Sequence, residues 1–201
     1  MSALVPDPAA TPPQTARVAN VANALTLLRL LLVPVFAFAL VQQDGQSTGW
    51  RVTACLIFAV ASVTDRIDGD LARRRGLVTE LGKLADPIAD KALTGTALVG
   101  LSALALLSWW VTAVILVREI GVTLLRFWVI RHGVIPASRG GKLKTLVQSV
   151  AIGLYLLPLT GLLATAAAWA MAAAVVLTVG TGADYVARAV SLRRAALGPA
   201  R

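Results

Sequence analysis

"TDRIDGDLARRRGLVTELGKLADPIADK", residues 64–91, holds six of the ten acidic residues of a 201-residue chain. Apolar runs flank it on both sides, so Asp65, Asp68, Asp86 and Asp90 are concentrated where two such runs meet. Asp65 and Asp68, three apart, share one face of a helix running into the packet. Asp86 and Asp90, four apart, share one face of the helix that leaves it. Residues 74–81 form a short polar connection, which makes the two helices antiparallel neighbours whose acidic faces can meet. Four carboxylates converging at a membrane border repel strongly in a low dielectric. Hard divalent cations with oxygen ligands are the natural counter-charge, and a carboxylate-bridged pair of them about 4 Å apart clamps a phosphoryl-type displacement. Gly69, beside Asp68, leaves room for a phosphate to approach the backbone, and Gly82 leaves similar room before Asp86. Arg73, one turn beyond Asp68, is placed to grip the same anion. Asp70 and Glu80 read as solvated acids paired with neighbouring Arg and Lys side chains.

The rest of the chain says where this packet sits. Hydrophobic residues make up 57% of it and charged residues only 14%, with a mean hydropathy of +0.76; a soluble domain is about a quarter charged. A helix needs about 20 mostly apolar residues to span the hydrocarbon. Runs at 21–41, 51–62, 84–107 and 109–130 serve, the second being short and expected to continue into the polar packet. Residues 145–183 carry no charge and suffice for two more spans, with Pro158 and Gly161 marking the turn. The expected fold is therefore an all-α integral membrane protein with six transmembrane helices. Lys and Arg collect in the N-terminal arm, in 66–83, in 131–144 and toward the C-terminus from Arg188, whereas 42–50, 107–110 and 158–167 have none, although Arg51 directly follows the first. That alternation is the positive-inside pattern; it puts both termini and the aspartates on the cytoplasmic side of the cell membrane. It also explains the net charge of +9 without nucleic acid. The expected organisation is a disordered arm over 1–19, lacking the basic start and cleavage site of a signal peptide, a six-helix domain over 20–190 and a basic tail over 191–201. Cys55, the single cysteine, reads as a small buried hydrophobe, and no disulfide framework is possible.

Asp65-x-x-Asp68-Gly69-x-x-Ala72-Arg73, eight residues, then Gly82-x-x-x-Asp86-x-x-x-Asp90 resembles the complete signature of the CDP-alcohol phosphatidyltransferases, with every fixed position and the spacer present. The resemblance implies an enzyme in which a hydroxyl nucleophile attacks a CDP-linked lipid or alcohol, CMP leaves and a phosphodiester forms. It implies two divalent cations, Mg2+ or Mn2+, held by Asp65, Asp68, Asp86 and Asp90, with Asp90 also the general base. Gly69, Ala72 and Arg73 would shape the nucleotide and diphosphate site, and the assembly would be a homodimer. Small residues at Gly95, Gly100 and Ala103 permit close helix packing.

Two further stretches bear on the acceptor. "NVANALTLLRLLLVPVF", residues 20–36, is similar to the opening of family members that use glycerol 3-phosphate. Its Asn23, Thr26 and Arg29 form a polar stripe on an apolar helix, suited to interhelical hydrogen bonds or to a share in CDP recognition; Pro34 is a candidate kink. "REIGVTLLRFWVIRHGVIPASRGGKLKTLVQ", residues 118–148, resembles the same members. It supplies Arg118 and Arg126 within a span, and Arg139, Lys142 and Lys144 after a Gly140-Gly141 loop suited to an anion at a helix start. These five cations fit an acceptor with its own phosphate, glycerol 3-phosphate, taking phosphatidyl from CDP-diacylglycerol. Arg139, Lys142 and Lys144 also fit an anionic-lipid patch. Glu119 is expected to pair with a neighbouring cation, and His132 reads as a surface residue. Inositol 1-phosphate and phosphatidylglycerol are the alternative acceptors. A cation transporter is the distant one, disfavoured by an Arg beside the acids and by the lack of an internal repeat.

Overall fold

The structure, a computed structural model, describes residues 14–75, 80–129 and 139–197, and the side chains within 27–64, 88–125 and 140–193. Among these residues it is all helical: α1 (Gln14–Val41), α2 (Thr48–Arg75), α3 (Glu80–Ala103), α4 (Trp109–Val129), α5 (Arg139–Leu156) and α6 (Gly161–Leu197). The expected turns are present. A tight reversal over Gln42–Gly45, with positive φ at Gln43, Asp44 and Gly45, links α1 to α2. Residues 157–160 separate α5 from α6, and Gly161 opens α6 at φ +58°. Pro34 lies inside α1, which continues through it.

Two helices outrun the expected boundaries. α1 begins at Gln14, directly after Pro12-Pro13, because the residues that follow hold no further helix breaker before Pro34. α6 continues to Leu197, through residues expected to be tail, which are mostly strong helix formers; the turn before them carries an Asp184–Arg188 ion pair four residues apart at 3.0 Å. Its 37 residues span about 55 Å, well beyond a hydrocarbon core of about 30 Å.

The core gathers Phe36, Leu40, Phe58, Leu98, Leu101, Ile115, Ile152 and Leu156, where α1 packs on α2 and α3 and α5 packs on α2, α3 and α6. Outside that core, large apolar side chains point away from the protein, among them Leu31, Phe38, Leu56, Val117, Leu124, Leu162 and Val176. A chain apolar both inside and out suits a lipid solvent. Leu27–Gly45 and Gly161–Arg193 are long and apolar enough to cross a membrane, and Thr48–Thr64 is a shorter apolar helix.

The small residues work inside the chain. A Cβ on Gly100 would stand 2.5 Å from the end of Leu40, so α1 and α3 approach closely there, and Gly95 faces Leu116 of α4. Across α3 and α4, the Ser102 and Thr112 hydroxyls are 2.7 Å apart and Thr112 Oγ1 donates to Leu98 O at 3.2 Å.

One contact sets the register of α2 against α5. The last carbonyls of a helix have no intrahelical donor. Here Arg51 supplies it, donating from Nε to Leu156 O at 3.0 Å and from Nη2 to Tyr155 O and Leu157 O at 2.8 and 2.9 Å. A cation is also favoured at this end of the helix dipole. Replacing Arg51 by Met should cost about 2 kcal/mol, the scale of a charged hydrogen-bonded group leaving its acceptors unmet. The check is thermal unfolding in detergent, where an unchanged Tm would show that the clasp contributes nothing.

Candidate active site

The aspartates' level in the bundle follows from helix pairing. Phe36 of α1 meets Phe58 of α2, ring centres 5.9 Å apart; Arg29 lies seven residues before Phe36 and Asp65 seven after Phe58. At equal rise in antiparallel helices, Arg29 and Asp65 come to one level. α1 and α3 run parallel past the Leu40–Gly100 contact, and counting back equally brings Arg29 level with Ala89, beside Asp90. On the other flank, Cys55 Sγ is 3.5 Å from Gly153 O, which brings Asp65 level with about Leu143 of α5. One layer at one end of the bundle therefore contains the second-helix aspartates, Asp90, Arg29 and the start of α5. Asp65, Asp68, Gly69, Ala72, Arg73 and Asp86 lie on α2 and α3, Asn23 and Thr26 on α1, and Arg126 and Arg139 on α4 and α5; their side chains lie outside the described residues. Arg29 is 2% exposed.

A cavity of about 250 Å³ opens beside this layer, between α3, α4 and α5. Asp90 and Lys91 enter it from α3, Glu119 from α4, and Lys144, Gln148 and Ser149 from α5; Gly95, Leu116 and Ile120 form apolar wall. Lys144, 3% exposed, pairs through Nζ with Glu119 Oε1. The same oxygen accepts from Arg118 Nη1 at 3.1 Å, and Arg118 Nη2 donates to Thr181 Oγ1 of α6 at 2.9 Å. Gly182 makes room for this arginine: a Cβ there would stand 3.1 Å from Arg118 Cγ. Lys91 Nζ donates to Thr123, whose hydroxyl donates to Glu119 O at 2.7 Å. Asp90 lies close enough to Lys144 to attract it.

The expected basic cluster is thus divided. Lys144 lines the cavity, whereas Lys142 is exposed and does not, since two residues along a helix turn a side chain about 200°. Arg118 faces α6 and is committed to Glu119 and Thr181 rather than to the cavity. Gly140 and Gly141 lie within the first turn of α5 instead of preceding it. Glu119 pairs as expected, but with two cations, and so organises the site. His132 lies outside the described residues. Gln148 and Lys91 were not foreseen as cavity residues. Gln148 had left a signal: a polar residue four after Lys144, hence on its face, at the start of an otherwise uncharged run.

The protein belongs to the CDP-alcohol phosphatidyltransferase family, whose model matches residues 19–180; it is a phosphotransferase of phospholipid biosynthesis, in a family of membrane proteins that generally depend on divalent metal. It is 63% identical over 175 residues to a probable phosphatidylglycerophosphate synthase of Mycobacterium tuberculosis, covering 87% of this chain and 84% of that one. It is 36% identical over 148 residues to the CDP-diacylglycerol–glycerol-3-phosphate 3-phosphatidyltransferase of Bacillus subtilis, covering 69% and 77%. A CMP-forming cardiolipin synthase of Streptomyces coelicolor is 38% identical over 126 residues, covering 61% and 57%.

Glu119→Gln should destabilise the protein by roughly 2 kcal/mol, because it removes the carboxylate that two cations share at a mostly buried place. Combining it with Lys144→Met should cost less than the sum of the two single changes. Strict additivity in detergent unfolding would mean that the pair is not coupled.

Proposed function

We propose that the enzyme transfers the phosphatidyl group of CDP-diacylglycerol to glycerol 3-phosphate, forming phosphatidylglycerophosphate and CMP. The observation that carries this reading is the cavity itself, which brings Asp90 and the buried cation Lys144 around one space of small-molecule size. The relatives named for this reaction support it.

In the proposed mechanism, Asp65, Asp68, Asp86 and Asp90 would hold two divalent cations, Mg2+ or Mn2+; four carboxylates on neighbouring α2 and α3 are a hard-oxygen donor set of the right kind. The cations supply charge neutralisation at the diphosphate. Gly69, Ala72 and Arg73, with Asn23, Thr26 and the buried Arg29 from α1, bind and orient the CDP group. Lys144 holds the acceptor's phosphate, spare N–H groups remaining after its bond to Glu119. Arg126, Arg139 and Lys142 attract the anion near the mouth, and Arg118 positions Glu119. Asp90 takes the proton from the acceptor hydroxyl, whose oxygen bonds to the phosphatidyl phosphorus as the bond to the CMP oxygen breaks. Inositol 1-phosphate would use the same pocket. Phosphatidylglycerol, a lipid diester, fits a charged, partly enclosed cavity less well.

The six helices are six spans with both termini cytoplasmic. The positive-inside distribution supports this reading. So do exposed Trp50, Trp109 and Trp110 at the start of α2 and α4, the ends remote from the aspartates, where an aromatic belt would lie. A homodimer completes the proposal.

The test is CMP release by the purified protein in detergent, with CDP-diacylglycerol, Mg2+ or Mn2+, and one acceptor at a time. Release should require glycerol 3-phosphate. Asp65→Asn and Asp86→Asn should each lower it at least about a hundredfold, while Lys144→Met raises the acceptor KM about tenfold. Full activity in either aspartate variant would sink the metal assignment, and release only with another acceptor would sink the glycerol 3-phosphate reading.

A further inference from the structure

Lys144 and Gln148 stand one turn apart on α5 and both face the cavity. Gln148 is 4% exposed, and its Oε1 is buried with no hydrogen-bond partner. Nearly all buried polar atoms in folded proteins are satisfied, and an exception requires a reason. The neighbouring cations do not meet it: Lys144 Nζ is directed at Glu119 and Lys91 Nζ at Thr123. Leu or Met at position 148 would fill the same space without leaving a carbonyl unmet, and the helix around it is apolar: Val147, Ala151 and Ile152 pack into the core. An acceptor oxygen that is buried, unpartnered and on a cavity wall is matched by a ligand that brings a donor.

The cavity's other polar groups define that ligand. Lys144 suits a phosphate and Asp90 a hydroxyl that loses its proton. Gln148 Oε1 suits a second hydroxyl, one that donates a hydrogen bond and does not react. A phosphate, a reacting hydroxyl and a spare hydroxyl together describe a small polyol phosphate. We infer that Gln148 is a specificity-determining residue, accepting a hydrogen bond from the non-reacting hydroxyl of the acceptor and so selecting polyol phosphates over phosphates with a single hydroxyl. This rests on the reading of the cavity as the acceptor site. Selection of this kind is steep, because an analogue lacking the hydroxyl leaves the carbonyl buried and unpaired.

The experiment compares kcat/KM for CMP release with glycerol 3-phosphate and with 3-hydroxypropyl phosphate, which keeps the phosphate and primary hydroxyl but lacks the secondary one. It uses the full chain in detergent with CDP-diacylglycerol and Mg2+, as wild type, Gln148→Leu and Gln148→Met. The wild type should prefer glycerol 3-phosphate by about tenfold or more. Both variants should lose about that factor on glycerol 3-phosphate and far less on the analogue, so that the preference collapses toward one. Turnover of the analogue also reports that each variant is folded. A preference unchanged in both variants, or rates on both acceptors falling in parallel, would overturn the inference. Absence of CMP release from the wild type with glycerol 3-phosphate would overturn the acceptor assignment beneath it, and that result is read before any variant is made.

Discussion

One carboxylate, Glu119, stands between two cations in a bundle whose described core is apolar. Lys144 reaches it from α5, and Arg118, held in turn by Thr181 of α6, shares the same oxygen. Removing a charge from water is costly, and a buried cation persists only where an opposite charge compensates it. Glu119 is that compensation for both, so three helices are tied together at the level where the cavity opens. Of the three charges, Glu119 and Lys144 line the cavity, while Arg118 stays against α6. Without Glu119, Lys144 would lose the carboxylate that fixes it in the cavity wall.

A charged layer of this kind is useful only if the other helices meet it at the right height. Helices of equal rise keep their register along their length, so one contact far from the site sets what is level within it. Arg51 on the terminal carbonyls of α5, the Phe36–Phe58 contact and the seat of Leu40 on Gly100 are such contacts. Together they bring Asp65, Arg29, Asp90 and the start of α5 to one layer. Glycines contribute by what they omit. Gly100 lets α1 close on α3, and Gly182 lets Arg118 pass α6 to reach Glu119.

Most of the helical architecture was legible in the sequence, because long apolar runs and Pro or Gly breaks mark helices whatever their partners. The turns at 42–50 and 157–160 and the reach of α2 into the polar packet follow from those signals. The helix ends at Gln14 and Leu197 did not, since amphiphilic helix-forming residues beyond an apolar run look like tail until packing or i,i+4 pairs extend them. The family signature was fully readable because its meaning lies in spacing along the chain. The basic cluster was not. Arg118, Lys142 and Lys144 are all cations near the same end, and only the azimuth of each around its helix separates one facing α6, one facing outward and one lining the cavity. Gln148 was overlooked for a related reason: one amide at the start of an uncharged run carries no charge to mark it, and only the structure shows its oxygen buried without a donor.

The division between outer and inner faces suits the proposed substrate, half lipid and half nucleotide. Leucines, valines and tryptophans cover the outside, where acyl chains meet them at no cost, and the ionisable groups of the cavity turn inward among α3, α4 and α5. Charges placed so are not explained by stability, since apolar residues of similar volume would serve a membrane bundle as well or better. Their cost is sensible only where charge is needed at the boundary between oil and water. On the proposed reading, a diphosphate tethered to a diacylglycerol would lie at that boundary, and α2 and α3 run past their apolar stretches into the acidic packet.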